Sequence, residues 1–451
     1  VDEIVVLEPD RWGLAFVRGR LAEEDRVALD DPRVTLVHDD PRRYLAGAPG
    51  RFGLVLALGP DPVTLLRARL GTVEFFREVA ARLEPDGVLV AQVRTAPSVL
   101  TGETAALAGS LFGALREAFP VVRATPGPDT LLVAGPRAAA VTLDPRVLSS
   151  RWEERGLEAD SFAAPLLPVL LPPDRVAALE TALADASATV APSRDDRPAS
   201  FVHALARRQQ TTAGPGGRVV GALSGLPQAL LAPLALLPSL VVVGRIGRAR
   251  VPVRHRAATA ASHAVAVTGA AGMGFSLLLL LSFQTRVGAL YGALGALTAV
   301  FMLGLALGAT LAQRVVRVQP DGRAPLGLAL GAALSFALVL PWTLGAAARA
   351  SHSGGLAALL AHGALLLAAG VVTGAVFPTA AATRLGAGDG AGEAAGRLET
   401  ADHVGAAVAA LFGAILYIPR FGFTRSAWLL AALLALALAG LWSAGPRAND
   451  G

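Results

Sequence analysis

Apolar and polar positions follow two regimes that meet near residue 210. Up to about Arg208, short apolar runs alternate with charged, amphipathic stretches. From Val219 to Trp442, long Leu/Ala/Val/Gly stretches carry few charges. In the first regime IVVLE (4–8) closes on an acid, WGLAFVRGRLA follows with helical spacing, and VTLVHDD (34–40) closes on acids again. LVLALG (54–59) is a third run. Val73, Phe76, Val79 and Leu83 mark a helix broken at Pro85-Asp86-Gly87, and VLVAQV (88–93) reads as the next strand. A helix over about 102–118 precedes VVRATPGPDTLLVAG, which reads as a closing hairpin. Apolar strands alternating with amphipathic helices predict parallel βαβ units with both sheet faces covered.

The second regime predicts an all-α, multi-span membrane domain over 219–443, with spans near 219–243, 261–283, 287–312, 325–348, 356–383, 402–419 and 426–443. Pro227, Pro233 and Pro238 fall in the first of these and predict a re-entrant or interfacial hairpin, leaving six true spans. Arg245, Arg248, Arg250, Arg254 and Arg256 in one loop, and Arg314, Arg317 and Arg323 in another, place both loops in the cytoplasm by the positive-inside rule. With the hairpin, the soluble domain shares that side. ARRQQTTAGPGGR (206–218) is polar and Gly-rich, as a linker is, and 444–451 forms a tail. Gly304-Leu-Ala-Leu-Gly308 has the small-xxx-small spacing of packed membrane helices. Because VDEIVVLEPD opens inside a strand, the chain reads as N-terminally truncated, with a first strand expected ahead of it.

Composition sharpens this division. The 451 residues are 53% hydrophobic with a mean hydropathy of +0.53, too apolar for a soluble protein throughout. The roughly 200 residues before the membrane regime suffice for a core of their own. With no Cys, disulfides, thiolate nucleophiles and Cys-ligated zinc are excluded. With no Lys, Schiff-base chemistry and a Walker-type phosphate lysine are excluded. The seven His show no metal-ligand spacing, so no metal is expected. The net charge of +5 is accounted for by Arg in membrane loops rather than by nucleic-acid binding.

In open α/β sheets, ligands bind at the carboxyl ends of the strands. Here those ends carry Glu8, Asp10, Asp39, Asp40 and Asp61. An acid at the end of such a strand typically takes the two hydroxyls of a ribose, a role that fits Glu8; a helix cap or solvated strand end fits its position equally. Asp39 and Asp40 suit an adenine amino group, or simply a turn before Pro41. In the membrane regime, Asp402 is an intramembrane acid and hence a functional candidate, although a cap at the start of a span is the favoured reading.

At this point a resemblance becomes specific. VVLEPD, DPRVTLVHDDPRRYL, FGLVLALGPDP, TVEFFREVAARLEPDGVLVAQ and SRDDRP (193–198) fall in the order and spacing of the spermidine synthase (polyamine aminopropyltransferase) family. They are most similar to its bacterial branch in which the enzyme domain is fused to membrane segments. GMGFSLLLLLSFQ, ALYGALGALTAVFMLGLALGA and AAGRLETADHVGAAVAALFGAILYIPRFG resemble that branch's membrane part. The resemblance implies a Rossmann-like, methyltransferase-type α/β domain over 1–205 and a multi-pass protein of the bacterial inner membrane. It implies decarboxylated S-adenosylmethionine as cosubstrate, with no tightly bound cofactor, and nucleoside and polyamine ligands. Glu8 inherits the ribose-holding role, beside Asp10, and Asp40 the adenine contact. Asp61, Asp195 and Asp196 inherit polyamine contacts. In the membrane part Ser276 stands where the family often has Glu, whereas Asp402 and His403 follow its pattern.

The segment FGLVLALGPDP departs from the family where the chemistry is hardest. The family strand ends in a Tyr-Asp pair and a loop Asp that helps deprotonate the attacking amine; here Phe52-Gly53 and Leu58 occupy those places, and only Asp61 survives. A positioned base typically contributes about 10²–10⁴-fold to such a step, and leucine accepts no proton. Two readings therefore stay open. One is a membrane-bound aminopropyltransferase of impaired activity, with Asp61 as its catalytic candidate. The alternative is an inactive nucleoside- or polyamine-binding domain regulating a transporter-like membrane bundle. A methyltransferase relative acting on another acceptor ranks below both. The sequence sets no oligomeric state.

Overall fold

The computed structural model describes residues 2–445 except 60, 96–99, 160–161, 212–225, 249–250, 289–290, 320–321 and 351–354. The chain divides into two compact units, the first mainly residues 1–62 and 66–193, the second mainly 194–285 and 290–451.

In the first unit, β1 (Ile4–Leu7) leads through α1 (Arg11–Arg18) and α2 (Glu23–Leu29) to β2 (Val34–Val37) and α3 (Pro41–Gly47). Next come β3 (Phe52–Ala57), α4 (Val73–Arg82), β4 (Leu83–Arg94), α5 (Gly102–Ala118) and the hairpin of β5 (Val121–Ala124) and β6 (Asp129–Gly135). Helices α6 (Pro145–Glu154) and α7 (Pro173–Thr189) close the unit. The elements follow from local chemistry. Thr72 caps α4 by accepting from Phe75 N–H, and Asp144 caps α6, whose first residue is Pro145. Phe76, Val79, Leu89, Leu107, Leu115 and Leu132 form a dry core between α4, α5 and the sheet. Gly109 admits α7: a Cβ there would lie 2.8 Å from Ala186.

The sheet is mixed and, among the described residues, comes in two pieces. β1 pairs with β2 and β3 with β4 in parallel, whereas β6 runs antiparallel to both β4 and β5. The piece β1-β2 is separate from the piece β3-β4-β6-β5, so β1 and β3 each stand at an edge. The expectation of strands covered on both faces holds only in part. Leu89, Ala91 and Val93 bury one face of β4, but Leu54, Leu56 and Leu58 leave β3 with 55%, 58% and 52% exposure. Nothing in the described unit packs over that face of β3 closely enough to dry it.

Among its described residues the second unit holds helices and no strand. It starts with α8 (Ala199–Thr211), which carries helix into the stretch expected to be a linker; residues 212–218 of that linker lie outside the described residues, as do 446–451 of the tail. The remaining helices are α9 (Gln228–Gly247), α10 (Val253–Val287), α11 (Tyr291–Val318), α12 (Arg323–Ala350), α13 (Gly355–Gly374), α14 (Val376–Gly386), α15 (Ala391–Phe412) and α16 (Ile418–Ser443). Among the described residues, six helical runs are long and apolar enough to cross a membrane: 228–247, 255–287, 292–318, 323–350, 355–386 and 391–443.

One expectation is corrected here. The prolines of the first run do not reverse the chain, because α9 is one continuous helix with Pro233 and Pro238 inside it. Each proline removes a single N–H, and the flanking Leu, Ala and Val hold the helical course. The last two expected spans, 402–419 and 426–443, fall on either side of a break inside the apolar run 391–443, whose 53 residues exceed what one bilayer crossing needs. That run passes through a π-helical turn at Gly413–Tyr417 and breaks at Gly422, whose φ of 76° suits glycine.

The pair α11 and α13 shows what the small-residue spacing does. A Cβ on Gly304 would collide with the Leu367 carbonyl oxygen and one on Gly308 with that of Val371; reciprocally, Gly370 faces Phe301 and Gly374 faces Leu305. Backbone therefore meets backbone along both helices.

Candidate functional site

The parallel pairing of β1 and β2 sets Leu7 beside Val37, so the residues that follow leave the sheet together. Glu8 N–H donates to the Val37 carbonyl at 3.0 Å, and His38 Nδ1–H donates to the Glu8 carbonyl at 2.8 Å. The Glu8 backbone is thereby fixed at the strand exit. Its side chain folds onto the following turn, Oε1 accepting from Asp10 N–H at 2.9 Å. Asp10 caps α1: Oδ1 accepts from Trp12 N–H at 3.1 Å and Gly13 N–H at 2.9 Å. Both acids thus do local structural work, while the second Glu8 oxygen, Oε2, makes no hydrogen bond with a described residue.

At the β2 exit the two aspartates divide their tasks. Asp39 Oδ1 accepts from Arg43 Nε at 2.5 Å, on the exposed side. Asp40 caps α3 by accepting from Arg42 N–H at 3.1 Å and Arg43 N–H at 3.3 Å. Its other oxygen pairs with Arg69, whose side chain is almost wholly buried. Arg42, also buried, donates from Nε to Glu78 Oε2 at 2.8 Å and from Nη1 to the Arg69 carbonyl at 3.4 Å. Asp40, Arg42, Arg69 and Glu78 thus form one network joining α3, the 3₁₀ turn Arg69–Gly71 and α4.

β3 delivers Leu58 to its loop at 52% exposure, and Asp61 follows half-buried; Pro60, between them, lies outside the described residues. No carboxylate stands at position 58, and the ring of Phe52 rests 6.5 Å from that of Tyr44. The structure therefore gathers Glu8, Asp10, Asp39 and Asp40 at the ends of β1 and β2, with Asp61 after β3 in the other sheet piece. Asp195 and Asp196 belong to the second unit, where Asp195 is buried and the Asp196 carbonyl accepts from Phe423 N–H at 3.2 Å.

Two participants escaped the reading of the sequence. His38 carried a faint signal, sitting between a strand end and two acids. Arg69 carried none, since its pairing partner is 29 residues away.

In the helical unit, Asp402 is not a cap. Gly390 caps α15, and Asp402 lies well inside the helix, against Gly269 of α10, where a Cβ would stand 2.6 Å from its Oδ1. His403 Nδ1–H donates to the Glu399 carbonyl at 2.8 Å, and Ser276 donates to the Met273 carbonyl at 2.9 Å. Among the described residues, no three of His, Cys, Asp and Glu gather in a way that could hold a metal ion.

No family model matches the chain. Curated relatives do. A polyamine aminopropyltransferase of Mycobacterium tuberculosis is 35% identical over 95 residues, 20% of this chain and 18% of the relative. One from Aeropyrum pernix is 36% identical over 94 residues, covering 30% of its length. Polyamine aminopropyltransferase 2 of Hyperthermus butylicus is 28% identical over 155 residues, 34% of this chain and 49% of the relative. The chain therefore spans less than half the length of each of these relatives. Over the part that aligns, the similarity supports a spermidine-synthase-like family.

Proposed function

We propose that the first unit binds a nucleoside through the acid-lined ends of β1 and β2, and that this nucleoside is decarboxylated S-adenosylmethionine or its product methylthioadenosine. The observation that carries the reading is Glu8: its backbone is fixed by β1 and β2, its Oε1 is held by the turn, and Oε2 is left for a ribose hydroxyl. The similarity to polyamine aminopropyltransferases supplies the ligand class. In this reading Glu8 and Asp10 frame the ribose side and Asp40 the adenine side, with Asp61 toward a polyamine. The parallel pairs β1-β2 and β3-β4 fit a Rossmann-like sheet.

The reaction of such a site is aminopropyl transfer. The acceptor amine loses its proton, its nitrogen lone pair attacks the methylene next to the sulfonium, and the carbon–sulfur bond breaks to release methylthioadenosine. Leu58 at the base position makes this chain slow at the first of these steps, with Asp61 as the remaining acid on the loop. The exposed leucine also favours the second reading, a domain that binds without turning over. Both readings hold the protein in a bilayer through its six apolar runs. We place the first unit on the cytoplasmic face, where such a nucleoside is made; in this placement α9 lies along the interface and the other five apolar runs cross.

Calorimetric titration of the full-length protein with methylthioadenosine tests the site. Glu8→Gln keeps the turn's acceptor oxygen but removes the charge, and is expected to weaken binding about ten- to a hundredfold with the unfolding midpoint unchanged. Equal binding by wild type and variant, or none by either, would overturn the nucleoside assignment.

A further inference from the structure

The second unit holds a polar cleft that the nucleoside reading leaves unused. It opens between the start of α10, the end of α14 and the first half of α15, encloses about 470 Å³, and is lined by Thr259, Ser262, Arg384, Gly396, Arg397 and Thr400. Its most buried member is Arg384, 2% exposed. Arg384 Nη1 donates to the Ala258 carbonyl at 3.0 Å and to Ser262 Oγ at 2.6 Å, and its guanidinium pairs with Asp389. These contacts strap α14 to α10. They do not use Nε, which is buried and has no hydrogen-bond partner. An unsatisfied donor on a buried cation is costly, so its persistence beside a cleft points to an acceptor that enters from outside.

The lining defines that acceptor. Among the described residues its charges are the two guanidinium groups; Asp389 and Glu393, which pair with Arg384 and Arg397, are not among the lining residues. Ser262 accepts from Arg384, so its own proton remains to donate, and Thr259 adds a second hydroxyl. Thr400 spends its proton on the Gly396 carbonyl at 2.8 Å. Two guanidinium groups and two hydroxyls outnumber what the two oxygens of a carboxylate would use, and they suit the three or four oxygens of a phosphate. The volume lies within the range of small-molecule sites and exceeds the need of a bare ion.

Depth points the same way. Thr259 and Ser262 stand six and nine residues past Val253, where α10 begins, about 9 and 14 Å along the helix. That is the level of headgroups and the first acyl carbons, on the side marked by Arg245, Arg248 and Arg256. We infer that this cleft is a phosphate-ester site in the membrane unit, filled by the headgroup of an anionic phospholipid or by the phosphate of a soluble solute. The site stands independently of the nucleoside site.

Thermal unfolding of the purified full-length protein in detergent tests the site through two titrations. One adds phosphatidylglycerol against phosphatidylcholine; the other adds inorganic phosphate against chloride at equal ionic strength. The variant is Arg397→Gln, an exposed change that leaves the Arg384 strap intact. The wild type is expected to be stabilised by the phosphate ligand, with a half-saturating concentration at least tenfold lower than in Arg397→Gln at equal ligand-free midpoints. A response to phosphatidylglycerol alone assigns the site to lipid, and a response to phosphate as well assigns it to a soluble ester. Equal responses of wild type and variant, or no response in either titration, would overturn the inference.

Discussion

Asp40 and Arg69 form an ion pair in which the arginine side chain is 1% exposed and the aspartate 16%. The same carboxylate caps α3, so one side chain holds both a helix start and a buried cation. Its proposed adenine contact and its part in folding are therefore entangled. Removing one member of a buried pair typically costs 3–5 kcal/mol, and losing a cap about 1. Asp40→Ala is expected to lower stability by about 3 kcal/mol or more, read from denaturant midpoints at constant slope. Asp40→Asn, which keeps an acceptor oxygen, is expected to lose less. A drop below about 1 kcal/mol in Asp40→Ala would mean the pair is idle in solution.

The network extends to Arg42 and Glu78, so its members should not act independently. A double-mutant cycle with Asp40→Asn and Glu78→Gln is expected to give a coupling of about 0.5–3 kcal/mol, as residues of one hydrogen-bonded network do. Additive effects within about 0.3 kcal/mol would show that the two ion pairs do not support each other.

How much of this was legible beforehand differs from residue to residue. The helix at 102–118 and the hairpin after it emerged at the expected places because each has a local cause: an alanine-rich stretch between a loop and Pro120, and a Pro-Gly-Pro-Asp turn between two apolar runs. The acids at the strand exits were legible because strand ends recur at apolar-to-acid transitions. Asp40's partner was not, since nothing local ties residue 40 to residue 69. Asp402 was misread as a cap because polar Glu399, Thr400 and Asp402 looked like a helix start; the helix begins at Ala391 and carries those polar residues within it. The same limit hid Arg384, whose contacts come from α10, about 120 residues away.

Gly308 offers the sharpest test of the membrane unit. Its Cα faces the Val371 carbonyl with no room for a side chain. Gly308→Val is expected to push α11 and α13 apart, costing about 1–3 kcal/mol or more and lowering the unfolding midpoint in detergent. Gly331→Val, at a helical glycine with open space beside it, serves as control and should cost little. Equal midpoints for the two variants would contradict the crossing.

The chain lacks cysteine, which makes sidedness directly measurable. Arg155→Cys marks the first unit and Val253→Cys the start of α10, next to the Arg-rich segment. If α9 lies along the interface, a membrane-impermeant maleimide should leave both unlabelled in intact cells and label both after lysis. Labelling of Arg155→Cys from outside would instead make α9 a true crossing and remove the first unit from the cytoplasm.

The central claim is that a retained nucleoside site lost its base at position 58. The direct measurement is single-turnover formation of methylthioadenosine from decarboxylated S-adenosylmethionine and putrescine, comparing wild type with Leu58→Asp. The position is half exposed, so the substitution adds a carboxylate without emptying a core. The account predicts slow conversion by the wild type and an increase of at least about tenfold in Leu58→Asp, toward the 10²–10⁴-fold that a positioned base supplies. A wild type as fast as the variant, or no product from either, would contradict it.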